Sequence, residues 1–368
     1  MEQITLELRY LLIKIEKNGF LEKAEVKEEE LETTLQLYLT NRCNLKCIHC
    51  YMDSGYHSKN EEISTETFLS VIDDFAEISQ SKVVFTGGEP LLRPDFFTLA
   101  KRAKEKKLKV VLFTNGTLIN DKIVSKIKEC VDEIQLSLDG ATPIINDEIR
   151  GKGVYDKVVN AVRLFEDTSI KLTISTLVMP QNFTDFKNNV ESFAKVFENA
   201  ELKFSFAINE GRADKSYKFS TTAEANAKLQ KILKILYEKN LKAMRKIEPN
   251  LMARNCGYGE TITVSSEGDV YPCAVLKHKA GNLKKEKLID LFRKIRKDIE
   301  VSNVENLEQC PQCDLIYICS GDCRLNNITY NGDIRKPHCP PDVREDFYKK
   351  LVVLNEFDAL KYWLRNKN

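Results

Sequence analysis

No stretch of this chain approaches the roughly 18 consecutive apolar residues that a membrane-spanning helix needs. The first twenty residues, MEQITLELRYLLIKIEKNGF, carry acidic groups inside their apolar stretch, which excludes a signal peptide. Net charge is also missing: 56 Lys and Arg stand against 55 Asp and Glu, a balance of +1. That argues against a nucleic-acid partner and against a membrane-surface protein. Histidine is scarce, at four residues, and there is neither an internal repeat nor a low-complexity segment. What is present is length and cysteine. At 368 residues and 42% hydrophobic, the chain can build two or three domains with proper cores. Eleven cysteines in a long, Lys-rich, signal-less chain read as metal ligands rather than disulfides, and place it in a reducing compartment, the cytoplasm.

Strand-like and helix-like segments alternate through the first two thirds. Strands are expected at 35–39, 83–86, 109–113, 133–138, 171–178 and 203–208, with amphipathic helices at 65–78, 95–106, 121–129, 155–165, 183–197 and 222–237. Such alternation predicts an α/β fold with a parallel sheet and right-handed crossovers. Six βα units are too few for a closed eight-fold barrel and suit an open partial (β/α)6 barrel. Parallel βα folds carry their chemistry on the loops after the strands. Here those loops read, in order, a cysteine string, then Gly87-Gly88-Glu89-Pro90, Thr114-Asn115-Gly116, Ser137-Leu138-Asp139-Gly140 and Asn209-Glu210-Gly211-Arg212. Each alone is an ordinary turn more often than a site. Their succession on one face is not. Glycines let a ligand approach the backbone, Glu89 can take an ammonium, and hydroxyl or amide side chains can take a carboxylate or ribose.

The cysteine string, CNLKCIHC, places Cys43, Cys47 and Cys50 at the end of the first strand. Three thiolates at these intervals can hold three irons of an iron–sulfur cube and leave the fourth open for a ligand. A structural zinc site wants four ligands, and His49 is badly placed to be the fourth because it neighbours Cys50. Cys130 reads as a lone core cysteine on its helix. Beyond about residue 242 the alternation stops, and seven cysteines follow. They run Cys256, then Gly268-x4-Cys273, then Cys310-x2-Cys313-x5-Cys319-x3-Cys323, then Cys339, among the turn strings SSEGD, CPQC, SGD and NGD. A pair of zinc sites in a small metal-nucleated domain is the simplest alternative for this tail.

At the first string the chain resembles radical S-adenosylmethionine (SAM) enzymes, whose signature is Cys-x3-Cys-x2-Cys after the first strand of a partial barrel. The tail resembles the SPASM domain that follows the barrel in many of them. The resemblance covers roughly residues 35–345, and it implies an oxidoreductase-type enzyme with SAM and three [4Fe–4S] clusters as cofactors. In that family the open iron chelates SAM, and an electron cleaves it to methionine and a 5′-deoxyadenosyl radical. By resemblance, Cys43, Cys47 and Cys50 hold the catalytic cluster, while Gly87, Gly88 and Glu89 receive the SAM amino group. Ser137 matches a position that meets the SAM carboxylate or ribose, and Asn115 and Asp139 are further candidate contacts. His49 stands where many relatives carry an aromatic residue near the adenine. Arg150 is either a carboxylate ligand or an ordinary surface arginine. One auxiliary cluster would take Cys310, Cys313, Cys319 and Cys339. The other would take Cys256, Cys273 and Cys323, with no eighth cysteine after Cys256 to close it. Ala274 stands where sulfatase-maturing relatives have an Asp, which counts against that subgroup.

These readings divide the chain into a short extension (1–34), the barrel (35–241), a cysteine-rich domain (242–345) and a C-terminal helix within 346–368. The expected function is oxidative modification of a ribosomally made peptide: a crosslink, a thioether or a related maturation. About 34 residues before the first strand are too few for a leader-binding domain, so a peptide substrate needs a separate leader-binding protein or direct recognition, and a ferredoxin- or flavodoxin-type reductant is expected. Maturation of a porphyrin or other small cofactor is the alternative. A non-catalytic iron–sulfur electron carrier is the alternative of another class, and the open iron weighs against it.

Overall fold

The computed structural model describes residues 33–340 and Arg344, apart from 58–59, 80, 207–210, 214–216, 218, 221, 240–253, 275–277 and 314. The expected C-terminal helix, most of the 1–34 extension, and Asn209 and Glu210 lie outside the described residues.

Six parallel strands appear where alternation placed them: β1 (Thr34–Tyr38), β2 (Lys82–Thr86), β3 (Lys109–Thr114), β4 (Glu133–Ser137), β5 (Lys171–Val178) and β6 (Glu201–Phe206). Helices fill the crossovers: α1 (Thr65–Ile78), α2 (Phe96–Glu105), α3 (Asp121–Cys130), α4 (Pro143–Arg150), α5 (Val154–Arg163) and α6 (Pro180–Val196), with α7 (Thr222–Glu238) after β6. Local chemistry sets their starts. Ser64 accepts a hydrogen bond from the Thr67 amide at the head of α1, and Asn120 accepts one from Lys122 at the head of α3.

The parallel strands continue past the point where alternation ends. β7 (Thr261–Val264) pairs parallel to β1, and β8 (Asp269–Tyr271) and β9 (Gly281–Asn282) add antiparallel. The order is β6-β5-β4-β3-β2-β1-β7-β8-β9, an open sheet whose edges are β6 and β9. These last three strands have four, three and two residues and no helix between them, so the βα rhythm could not reveal them.

The two faces of the sheet differ. Leu35, Leu37, Val83, Phe85, Val110, Leu112, Ile134, Leu136, Leu172 and Ile174 form the buried, helix-covered side. Phe204 of β6 belongs to it, edge-on to Phe186 of α6 with centroids 5.7 Å apart. On the opposite face, β4 to β6 carry Gln135 and Ser137, Thr173 and Ser175, Lys203 and Ser205, half-buried or exposed. Lys109–Glu133 (2.7 Å) and Lys171–Glu201 (2.9 Å) tie the foot of that face.

By contact the chain forms two compact units, one of residues 33–246 with 261–292, the other containing 247–260 and 293–368. In the second unit α8 (Leu288–Val301) contributes its later turns, and two short helices, α9 (Ile316–Cys319) and α10 (Arg324–Asn331), flank the cysteine string.

Phe186 is fully buried and also packs on Phe193 at 5.2 Å. Phe186→Ala should lower the unfolding free energy by about 3–5 kcal/mol, read from the denaturant midpoint.

Candidate active site

The loop from Cys43 to Gly55 has little secondary structure of its own, and the ends of other strands hold its backbone. Its entrance is held from β2. The amide of Gly88 donates to the Thr40 carbonyl at 2.7 Å and that of Glu89 to the Arg42 carbonyl at 2.8 Å. A Cβ on Gly88 would stand 2.2 Å from the Arg42 oxygen, and one on Gly87, at φ +135°, 2.5 Å from the Thr40 oxygen. The glycine pair therefore admits the chain's own backbone, not only a ligand.

The middle of the loop rests on α4, a helix that the alternation did not disclose. The Ile48 amide donates to the Ile149 carbonyl at 3.1 Å. His49 Nε2 lies 3.1 Å from Asp139 Oδ2, which also lies 2.6 Å from Arg150 Nη2. All three side chains are buried. Burial opposes ionisation of Asp139, but the charges of Arg150 and His49 outweigh it and hold its carboxyl down to about 2. Asp139 is thereby occupied as an ion-pair centre. Arg150, which as a sequence was as plausibly a surface residue, is its buried partner.

The far end of the loop is clamped from β6. Arg212 donates through Nε to the Cys47 carbonyl (3.0 Å) and through Nη1 to the Ser54 carbonyl (2.7 Å) and the Asp53 carboxylate (2.8 Å). Its amide donates to the Cys50 carbonyl at 2.9 Å. Gly211, at φ +63°, has the Cys50 and Tyr51 oxygens where a Cβ would be.

The sulfurs meet hydrogen-bond donors. The Leu45 amide lies 3.4 Å from Cys43 Sγ, the Ser54 amide 3.4 Å from Cys50 Sγ, and Asn115 Nδ2 3.7 Å from Cys43 Sγ. Burial pushes the Cys43 thiol up to about 11 and raises Cys47 as well. Metal binding would draw those protons off. Three soft sulfur donors, two of them met by amides, suit an iron–sulfur cluster.

Glu89 is fully buried and joins the ends of β2 and β3. One oxygen accepts from Thr114 Oγ1 (2.8 Å) and the Leu91 amide (3.1 Å), the other from the Asn115 amide (2.8 Å). Burial, against those bonds, pushes its carboxyl up to about 7. Ser137 sits at the top of β4, on the uncovered polar face beside Ser175. Across the sheet, Tyr38 on β1 bonds the Tyr51 hydroxyl at 2.6 Å, receives Gln36 Nε2 at 3.1 Å and stands in electrostatic reach of Cys273.

In the second unit, Cys310, Cys313, Cys319 and Cys339 line one small cavity with Leu315, Ile316 and Pro337. Elsewhere in this unit Cys256 and Cys323 meet each other, and the hydrogen bond between them raises Cys256 and lowers Cys323. Cys273 belongs to the other unit. Cys130 is buried on α3, bonded to the Lys126 carbonyl at 3.2 Å. The residues that sequence reasoning missed are Arg212 as a clamp and the His49–Asp139–Arg150 cluster. A charged residue directly after a strand-end glycine was the available signal for the first.

An open parallel barrel bearing a three-cysteine loop at the head of β1, followed by a cysteine-lined unit, defines a class of cluster-dependent enzymes. Residues 37–193 match the model of the radical SAM superfamily and residues 256–314 that of an iron–sulfur cluster-binding domain, SPASM. The chain is similar to an AdoMet-dependent heme synthase of Methanosarcina barkeri, at 29% identity over 82% of this chain and 94% of that protein. It is also similar to the mycofactocin maturase MftC of Mycobacterium ulcerans, at 30% identity over 77% and 81%. Among solved structures, anSMEcpe with bound AdoMet superposes with a TM-score of 0.68 at 21% identity, covering 91% of this chain and all of that one. Streptococcus suis SuiB bound to its precursor peptide SuiA gives 0.63 at 19%, covering 89% and 78%. The chain belongs to the radical SAM superfamily and carries a SPASM domain; it is an enzyme of that superfamily, and iron–sulfur and SAM binding are properties of the family.

Arg212→Ala removes three charge-assisted side-chain bonds, each worth about 1.5–3 kcal/mol. Amide exchange across residues 43–55 should accelerate by roughly tenfold or more, with the sheet core unchanged, as read by hydrogen-exchange mass spectrometry.

Proposed function

We propose that this enzyme cleaves SAM reductively at a [4Fe–4S] cluster held by Cys43, Cys47 and Cys50, and oxidatively modifies a ribosomally made peptide. When bound, that cluster supplies the electron that splits SAM into methionine and a 5′-deoxyadenosyl radical. The chain's part is to hold the three thiolates in one orientation, through Gly88 and Glu89 at the entrance, α4 in the middle and Arg212 at the exit. Glu89 and Ser137 are the side chains assigned to the SAM ammonium and carboxylate. Asn115 supports both Cys43 and the Glu89 strut. Gly87 and Gly88 act chiefly by letting the loops close, and Asp139 acts through His49 and Arg150 rather than on SAM directly.

The observation that carries the peptide reading is the uncovered face of β4–β6. Its row of Gln135, Ser137, Thr173, Ser175, Lys203 and Ser205 supplies donors and acceptors of the kind that peptide amides and carboxylates require. Lys203 also meets Gln135 at 3.3 Å, so the row forms a connected polar surface. The heme synthase relative, aligned over 94% of its length, favours the second reading, a porphyrin substrate. We further infer three clusters in all: the barrel cluster, one on Cys310, Cys313, Cys319 and Cys339, and one to which Cys256 and Cys323 contribute. Cys273 joins the last on the resemblance of spacing alone. A one-electron donor of ferredoxin or flavodoxin type completes the cycle, and a separate leader-binding protein would present the peptide.

Anaerobic reconstitution with SAM and a reductant tests the first half. Wild-type protein should form 5′-deoxyadenosine, and the Cys43→Ala/Cys47→Ala/Cys50→Ala variant should form none while retaining the iron of the second unit. Glu89→Gln should weaken SAM binding by roughly 10- to 100-fold with the cluster intact, the loss of one charge-assisted bond. For the second half, Thr173→Val and Lys203→Ala should lower peptide modification while leaving substrate-free 5′-deoxyadenosine formation as it is. Turnover of a carboxylated porphyrin, with no change in any candidate peptide, would decide for the second reading.

A further inference from the structure

Arg324 heads the largest fully buried side chains among the described residues. It is the first residue of α10, immediately after Cys323. Its Nε donates to the Ser302 carbonyl at 2.7 Å, Nη1 to the Ser320 and Asp322 carbonyls at 2.7 and 2.9 Å, and Nη2 to the Arg254 carbonyl at 3.5 Å. None of these partners is a carboxylate. The carbonyls take up the guanidinium's hydrogen bonds, and among the described residues no carboxylate is paired with its charge. Arginine stays protonated in proteins, so this is a permanent cation in an apolar interior, an arrangement that persists only against a compensating negative charge.

The groups in electrostatic reach of it are sulfurs. They are Cys256 and Cys323, which meet each other, and Cys310 and Cys319, two of the four that line the small cavity. The Arg324 amide adds a donor 3.4 Å from Cys256 Sγ. The residue therefore stands between the two cysteine sets of this unit. Thiolate-ligated cubes are net anions, and their potentials respond to nearby fixed charge, because reduction adds an electron beside it.

We propose that Arg324 is the shared counter-ion of the two iron–sulfur clusters of the second unit, and that its charge raises the reduction potential of both. This rests on the reading that these cysteines hold clusters. A purely mechanical role has its own support and must be separated from it. Ser320, Gly321 and Asp322 are all left-handed, at φ 56°, 73° and 56°, and two of their carbonyls point at Arg324. A lysine keeps the charge and loses the planar fork, whereas glutamine and methionine lose the charge.

The test compares anaerobically reconstituted wild type with Arg324→Lys, Arg324→Gln and Arg324→Met. Iron and sulfide content is measured first, then each cluster's potential by EPR-monitored redox titration, with the barrel cluster as internal control. Wild type without iron in the second unit would overturn the cluster reading and the proposal with it. With clusters present, both potentials should fall in Arg324→Gln and stay near wild type in Arg324→Lys, while the barrel cluster does not move. If the neutral variants lose the second unit's iron and Arg324→Lys keeps it at near-native potential, the charge requirement also stands. Unchanged potentials in a fully loaded Arg324→Gln would overturn the proposal. So would loss of iron from all three variants, which would mark the carbonyl fork as the whole of the role.

Discussion

A loop that must present three cysteines to one cluster cannot hold itself. Residues 43–55 contain only turns and a neck closed by the Cys43 amide on the Gly55 carbonyl, and their other anchors are chain segments brought close by the sheet. Thr40 and Arg42 are met by Gly88 and Glu89, Ile48 by Ile149, and Cys47, Cys50 and Ser54 by Arg212. Because β1 lies inside the sheet, with β2 on one side and β7 on the other, the ends of several strands open around the loop. The strand-end strings that look like ligand loops in the sequence thus have a prior duty, which is to fix the thiolates. The buried Asp139–Arg150 ion pair, with His49 beside it, belongs to the same duty, because an unpaired charge in that position would be costly.

The same logic extends to the second unit with different means. There, short helices and left-handed residues turn the string so that Cys310, Cys313 and Cys319 line one cavity while Cys323 meets Cys256. Arg324 gathers the carbonyls of the turn between Cys319 and Cys323. The substrate side is simpler. The helix-covered face of the sheet is spent on the core, and the opposite face of β4–β6 is mostly polar, with Leu177 the apolar exception at its top.

Much of this was legible in the sequence because it is local. The spacing of Cys43, Cys47 and Cys50, the alternation that marks β1 to β6, and the order of the later cysteines are all properties of short windows. β5 was readable to the residue, Lys171–Val178, and its residues alternate between buried positions and half-buried or exposed ones. Three things were not legible. α4 is eight residues long and follows a turn string that reads as loop. β7 to β9 are too short to show a period, and what makes them strands is pairing across the sheet. The clamp by Arg212 joins residues 158 to 165 positions apart, and no local pattern reports such a contact. Glu89 shows a subtler limit: its position was readable, but its hydrogen bonds to Thr114 and Asn115 emerge only when β2 and β3 lie side by side.

The most direct measurement is the low-temperature EPR spectrum of the reduced, cluster-loaded enzyme with and without SAM, recorded for wild type and for Arg212→Ala. If the barrel loop presents an open iron and its orientation depends on the clamp, SAM should alter one signal and leave the others unmoved. In Arg212→Ala that signal should be broadened or lost, with the remaining signals intact. A SAM-sensitive signal identical in both proteins, or no signal that responds to SAM at all, would contradict the account.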